Sequence, residues 1–117
     1  MKAVLLVSHG SRSLKTKEEV VSLVKKLKTK SGLAIVDYAF LEIESPSIPE
    51  GLEGCVNKGA KEIIVLLNFL NSGRHANDDI PAIVAEAQTK YPNVKIFITS
   101  PVGQHPKIVD LFTDLIN

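Results

Sequence analysis

The feature that most constrains the fold of this chain is the alternation of short apolar runs with segments of helical period. Runs rich in β-branched and aliphatic residues recur four times, at Ala3–Val7, Leu33–Leu41, Glu62–Phe69 and Val94–Thr99. They are nearly continuous in apolar character, which is typical of strands in a parallel sheet that is covered on both faces. A half-exposed strand would instead alternate apolar and polar residues. We therefore predict four buried, parallel strands.

The segment after the first run predicts an amphipathic helix. Thr16 and Glu19 have the spacing of a capping box, and Gly32 suits the C-terminal stop of the helix. Between them, apolar residues recur at i, i+3, i+4 and i+7, at Val20, Leu23, Val24 and Leu27. That spacing places them on one face of a helix, which would lie on the sheet.

Three further helices are predicted from their start signals. The second begins within Ser45–Glu50, although Gly51 and Gly54 weaken its interior. The third begins behind Asp78, Asp79 and Pro81, which are N-cap and first-turn residue types. The fourth follows Pro106, and we expect it to pack against the sheet through a stripe of apolar residues: Ile108, Leu111, Phe112 and Leu115.

The resulting order of elements, β-α-β-α-β-α-β-α, predicts an α/β fold. With right-handed crossovers it forms a three-layer sandwich around a four-stranded parallel sheet. At 117 residues the chain is expected to form a single domain over residues 1–117. In such sheets ligands bind beyond the carboxyl ends of the strands, so these loops are where function is expected.

Composition excludes several classes of function. A formal net charge of +1 and an aromatic content of 5% are unlike a nucleic-acid-binding domain. The apolar runs are too short for a secretion signal or a membrane span. The single cysteine, Cys55, cannot form an internal disulfide, which fits a protein of the reducing cytoplasm. We predict that Cys55 is a small core residue. No G-x-G-x-x-G motif follows a strand, so the sequence has no fingerprint of a dinucleotide cofactor. No organic cofactor is expected.

All three histidines follow predicted strands: His9 the first, His75 the third and His105 the fourth. Each alone is compatible with a loop histidine bonded to backbone. Strands one and three can be neighbours, in which case His9 and His75 would converge on one ion or substrate. Two imidazoles with the carboxylate of Glu42, after strand two, form a set suited to Co, Ni, Fe or Zn with open coordination positions.

Other polar residues of these loops are candidates for binding an acidic substrate. Arg12 and Arg74 lie beside the two histidines, and a guanidinium group can hold a carboxylate or phosphate through two parallel hydrogen bonds. A surface arginine without a specific role is the alternative for each. Glu44, nearer to the second helix, is more simply explained as a solvated loop carboxylate.

Four segments at the four strand ends resemble, in order, the short CbiX family of sirohydrochlorin cobaltochelatases. They are Val7-Ser8-His9-Gly10-Ser11-Arg12; Phe40-Leu41-Glu42 with Pro46-Ser47-Ile48; Phe69-Leu70 with Gly73-Arg74-His75 and Asp79-Ile80-Pro81; and Pro101-Val102-Gly103-Gln104-His105-Pro106. Each segment alone is weakly specific, but all four in order are a fairly specific signal. One departure is the presence of Asn68 and Asn71 around Phe69-Leu70.

The resemblance implies a chelatase that inserts a divalent metal, with Co²⁺ the first choice and Ni²⁺ or Fe²⁺ as alternatives, into the tetrapyrrole precursor sirohydrochlorin. It implies that His9 and His75 bind the metal substrate and that Glu42 acts with them. Substrate-binding roles follow for Ser11, Arg12, Arg74 and His105. It also implies a homodimer. No nucleic acid or membrane partner is expected, because of the charge, the aromatic content and the short apolar runs described above.

Two other functions remain open at this stage. Ser8-His9-Gly10 with Arg12 is similar to the Arg-His-Gly signature of histidine phosphatases, but Ser8 stands where that family has arginine. A non-catalytic metal or tetrapyrrole carrier on the same fold is the second alternative, because fold does not determine function. Multiple turnovers would distinguish a chelatase from a carrier.

Overall fold

The computed structural model describes residues 1–74 and 78–117, and its centre is a four-stranded parallel sheet. The strands are β1 (Lys2–Ser8), β2 (Ile35–Phe40), β3 (Glu62–Leu67) and β4 (Lys95–Pro101), in the spatial order β2-β1-β3-β4. The helices are α1 (Leu14–Ser31), α2 (Ile48–Asn57), α3 (Ile80–Lys90) and α4 (Ile108–Ile116), with a 3₁₀ turn at Val102–Gln104. The predicted α/β fold, its four strands and their parallel direction are confirmed.

The sheet separates two apolar cores. Because alternate residues of a strand point to opposite faces, Leu5 of β1 lies in the core under α2 and α3, whereas Leu6 lies in the core under α1. The α2 and α3 side is the larger of the two, with Leu52 and Ile80 fully buried among its residues. This arrangement follows from right-handed crossovers on either side of the central strand β1.

The helix ends show where the local prediction succeeded and where it was wrong. Gly32 adopts a left-handed conformation (φ 72°), and its N–H donates to the Lys28 carbonyl at 3.1 Å, as the predicted stop requires. Ser47 caps α2 through a reciprocal pair of hydrogen bonds with Glu50, which also lowers the pKa of the Glu50 carboxyl. The predicted capping box at Thr16 is wrong, since α1 begins at Leu14 after the N-cap Ser13.

The position of α4 differs from the prediction. The helix forms over Ile108–Ile116, but none of its residues is buried, so it does not pack against the sheet as expected. The spacing of its apolar residues predicts an apolar face but carries no information on which surface, if any, covers that face.

Within residues 1–74 and 78–117, no helix is both long enough and apolar enough to cross a membrane.

Candidate functional site

The loops after β1, β2 and β3 meet at the carboxyl edge of the sheet because β1 lies between the other two strands. Val7 is paired with Leu67 of β3, and Ser8 is paired with Phe40 of β2. Strands one and three, which the sequence allowed but did not require to be neighbours, are therefore adjacent in the sheet. The loop that begins at His9 is flanked on one side by the loop after β2 and on the other by the loop after β3.

His9 and Glu42 form the central contact of this edge. The distance between His9 Nε2 and Glu42 Oε1 is 2.6 Å, and the two side chains are 45% and 52% exposed. The backbone reinforces the pair, since the Glu42 N–H donates to the His9 carbonyl at 3.0 Å. A carboxylate bonded to an imidazole orients the ring and raises its basicity as a ligand. The pair is thus positioned by two strands and remains accessible to a ligand.

Glu44 makes a contact that the sequence did not reveal. Its Oε1 accepts the backbone N–H of Ser11 at 2.8 Å, so Glu44 holds the loop after β1 and is not a merely solvated carboxylate. The Ser11 hydroxyl in turn accepts the Ser13 N–H at 3.0 Å, next to the start of α1. The only sequence signal for this role is the two-residue spacing of Glu44 from Glu42.

Asn68 is a second positioning residue that sequence reasoning missed. Its Nδ2 donates to the hydroxyl of the buried Ser8 at 3.0 Å, and its backbone N–H donates to the Val7 carbonyl at 2.8 Å. These bonds attach the start of the loop after β3 to the end of β1. In the sequence Asn68 is a departure from the family pattern, and its hydrogen bond to Ser8 gives that departure a structural role.

The structure places the remaining predicted residues as follows. Arg12 and Arg74 are exposed, and within the two described ranges neither guanidinium forms an ion pair. His75 lies outside the described residues, so its convergence with His9 stays a prediction. Among the described residues, no three His, Cys, Asp or Glu side chains are grouped closely enough to hold a metal ion.

His105 belongs to a different part of this edge. Its Nδ1 accepts the Lys107 N–H at 3.1 Å, in the turn that leads into α4. With its neighbours it lines a groove of about 580 Å³ on the α1 side of the sheet. The apolar lining of this groove includes Leu6 and Leu66 of the sheet and Leu23 and Leu27 of α1.

Cys55 takes no part in the site. It is fully buried on the sheet side of α2, as the sequence predicted. Burial, and next the negative charge of Asp37, raise the pKa of its thiol to about 12. The thiol is therefore protonated at neutral pH and is a poor nucleophile or metal ligand.

Comparison with known proteins gives a consistent result. The CbiX family model matches residues 3–117. The sirohydrochlorin ferrochelatase of Arabidopsis thaliana chloroplasts is 36% identical over 113 residues, which cover 97% of this chain and 50% of that protein. The sirohydrochlorin cobaltochelatase of Methanocaldococcus jannaschii is 30% identical over 138 residues, which cover 97% of this chain and 96% of that protein.

A solved structure is also similar. The sirohydrochlorin chelatase SirB of Bacillus subtilis subspecies spizizenii, in complex with cobalt, aligns with a TM-score of 0.84 and 32% identity, over 98% of this chain and 49% of that one. This chain thus spans about half the length of several of the relatives that it matches.

Proposed function

We propose that this chain, which belongs to the CbiX family, inserts a divalent metal ion into sirohydrochlorin. The observation that carries the proposal is the His9–Glu42 pair, held at 2.6 Å and half-exposed where the central strand ends. A solvated imidazole with an adjacent carboxylate suits a site that binds a metal and then releases it. The names of the relatives, which are sirohydrochlorin chelatases, support the same substrate.

Metal insertion makes two chemical demands on the protein. The ion has to be held with open coordination positions, since a closed cage of four ligands would retain it as a structural metal. Two pyrrole protons also have to leave the macrocycle as the metal enters. In our proposal His9 and His75 bind the incoming metal and accept these protons, while Glu42 orients His9 for both tasks.

The macrocycle carries carboxylates around its rim, and the protein offers cations at the same edge. Arg12 and Arg74 are exposed and belong to the loops after β1 and β3. We assign them to these carboxylates, because a guanidinium group binds a carboxylate through two parallel hydrogen bonds. Ser11 and His105 complete the proposed substrate-binding set, Ser11 from the loop that Glu44 holds and His105 from the groove beside β4.

Cobalt is the proposed physiological metal, with nickel and iron as the alternatives to be ranked by assay. Imidazole ligands suit all three ions, and the relatives include both ferrochelatases and cobaltochelatases. We also propose that the active form is a homodimer, because the edge of one such sheet presents one side of a cleft to a flat macrocycle.

The test is an anaerobic absorbance assay with sirohydrochlorin in excess over protein and Co²⁺, Ni²⁺ or Fe²⁺ supplied in turn. We expect many turnovers per protein, faster than a protein-free blank. His9→Ala and His75→Ala should each lose most of this acceleration, because each removes a proposed metal ligand. Glu42→Gln should reduce the rate about 10- to 100-fold, the usual effect of removing a group that orients a ligand.

The matched control is Glu53→Gln, which makes the same chemical change at an exposed carboxylate on α2. It should turn over as the unmodified protein does. A stoichiometric spectral change without acceleration over the blank would refute the chelatase and favour a carrier. Full activity in both histidine variants would refute the site.

A further inference from the structure

The carboxyl edge of the sheet carries exposed apolar side chains that the core does not use. Each of the four strands is followed by one such residue, with exposed fractions between 47% and 78%: Leu14, Ile43, Leu70 and Val102. Among the described residues, the loops at the opposite edge contribute only Met1. Outside α4, exposed aliphatic groups thus concentrate at the edge that carries His9 and Glu42.

Ile43 is exposed although its backbone conformation costs stability. Its φ of 71° lies in the left-handed region, which is rare for a β-branched residue. The side chain is 61% exposed, so packing offsets little of this cost. Hydrogen bonds of its neighbours hold the turn: the Glu42 N–H donates to the His9 carbonyl at 3.0 Å, and the Glu44 N–H donates to the Glu42 carbonyl at 2.8 Å. A strained residue with an exposed side chain points to a function for that side chain.

Leu70 is also fixed by its backbone while its side chain is exposed. Gln104 Nε2 donates to the Leu70 carbonyl at 2.9 Å, and the Gly103 N–H donates to the carbonyl of the preceding Phe69 at 3.0 Å. Gly103 lies so close that a Cβ there would collide with the Leu70 backbone. The side chain is nevertheless 60% exposed. An apolar group held in this way can bind a ligand at a low cost in conformational entropy.

The loops that carry Ile43 and Leu70 lie on opposite sides of the loop that begins at His9. Because β1 lies between β2 and β3 and neighbouring strands are about 4.8 Å apart, these two loops leave the sheet roughly 10 Å from each other. Two apolar side chains therefore flank the proposed metal-binding histidine.

A tetrapyrrole macrocycle has three chemically distinct parts: the nitrogens at its centre, the carboxylates at its rim and the apolar face of its rings. The proposed function assigns the centre to the histidines and the rim to Arg12 and Arg74. It assigns no group to the ring face. Exposed isoleucine and leucine side chains at the same edge provide an apolar contact of the kind that this face requires.

We propose that Ile43 and Leu70 contact the apolar ring face of the macrocycle, one on each side of His9. The inference rests on the proposed function, because it takes sirohydrochlorin as the ligand. The ring face is nearly the same before and after the metal enters, so the contact stabilises the bound substrate and the transition state equally. Such a contact lowers KM and leaves kcat unchanged. The two residues therefore determine specificity for the macrocycle and not for the metal.

The first test measures the affinity for metal-free sirohydrochlorin by anaerobic fluorescence titration. Ile43→Asn and Leu70→Asn should each raise the Kd about tenfold, because each removes apolar contact area. The conservative variants Ile43→Leu and Leu70→Met keep that area and should stay within about threefold of the unmodified protein. Affinity for Co²⁺ alone should not change, since neither side chain is a proposed metal ligand. In the chelation assay the asparagine variants should raise KM and keep kcat.

Stability distinguishes a contact with the macrocycle from a structural role of Ile43. Asparagine tolerates a positive φ better than isoleucine does. Ile43→Asn should therefore unfold at the same or a higher urea concentration than the unmodified protein while it binds the macrocycle less tightly. A structural role would instead lower stability and affinity together, and that result would contradict the proposal.

Four other results decide the proposal. Normal affinity in both asparagine variants would overturn it, and so would an equal loss in Ile43→Leu, which would implicate the turn itself. Weaker self-association of the asparagine variants without tetrapyrrole would assign the side chains to a contact between copies and overturn it as well. Turnover with an unchanged KM in both asparagine variants would refute this inference and leave the chelatase. Tight binding of the macrocycle without turnover, lost in the asparagine variants, would refute the chelatase and support this inference.

Discussion

Ile43 has a backbone conformation that is rare for a β-branched residue, and it lies between the two carboxylates that hold the loop after β1. Its φ is 71°, and the Glu44 N–H donates to the Glu42 carbonyl across it at 2.8 Å, which forms a γ-turn. The turn reverses the chain so that Glu42 reaches His9 while Glu44 reaches Ser11. Strain of this kind is found at functional sites, where surrounding contacts maintain it.

Replacing Ile43 by glycine should therefore stabilise the protein. A left-handed conformation costs a residue with a Cβ on the order of 1–3 kcal/mol, partly offset by the extra chain entropy of glycine, which leaves a net gain of about 1 kcal/mol. The Ile43 side chain is largely exposed, so little packing is lost. Urea unfolding measures the change. Ile43→Ala retains a Cβ and should gain clearly less, and equal gains in the two variants would contradict the strain argument.

At the scale of the elements, the two glycines of α2 differ in the space around them. Gly51 faces the sheet, and a Cβ built on it would lie 2.9 Å from a methyl carbon of Leu5 and 3.0 Å from the Cβ of Ala39. A Cβ on Gly54 would meet nothing within 4 Å. The close approach of α2 to β1 and β2 thus requires glycine at position 51 only.

The same alanine substitution should consequently have opposite effects at these positions. Gly54→Ala should raise the free energy of unfolding by about 1 kcal/mol, because alanine favours the helix and meets no neighbour. Gly51→Ala should lower it by about 1–3 kcal/mol, because Leu5 is fully buried and has little space to move. Denaturant titration of both variants measures the difference. Stabilisation by both would show that the helix can shift outwards at little cost.

At the scale of the whole molecule, the distribution of apolar surface is uneven. The side covered by α2 and α3 holds most of the fully buried residues, including Leu52, Ile63 and Ile80. The other side combines the α1 core with the open groove and the exposed α4. If the homodimer proposed above covers this second side, folding and association are linked, and stability depends on protein concentration.

The midpoint of thermal unfolding should accordingly rise with protein concentration. Over a hundredfold range we expect an increase of roughly 5 °C, measured by scanning calorimetry. Leu115→Glu should unfold at a lower temperature that does not change with concentration. A concentration-independent midpoint for the unmodified protein would show that the second core is complete within one chain.

Features that depend on near neighbours along the chain could be predicted from the sequence. Four apolar runs and their intervening periodic segments determined the elements and their order, since strand and helix periods are local properties. The glycine stop at Gly32 is local in the same sense. The positions of His9 and Glu42 directly after two strands were sufficient to predict that they share one edge of a parallel sheet.

Contacts between residues far apart in the sequence were decided only by the tertiary structure. Glu44 with Ser11, and Asn68 with Ser8, join residues that lie 33 and 60 positions apart, and no local pattern marks either pair. The helical period of α4 could be predicted from the sequence. That the helix does not pack on the sheet could not be predicted, because its burial depends on the direction in which the helix leaves the preceding turn. Periodicity thus determined that α4 has an apolar face, and only the tertiary structure, with the hydrogen-bonded turn at His105, shows that this face stays exposed on the chain.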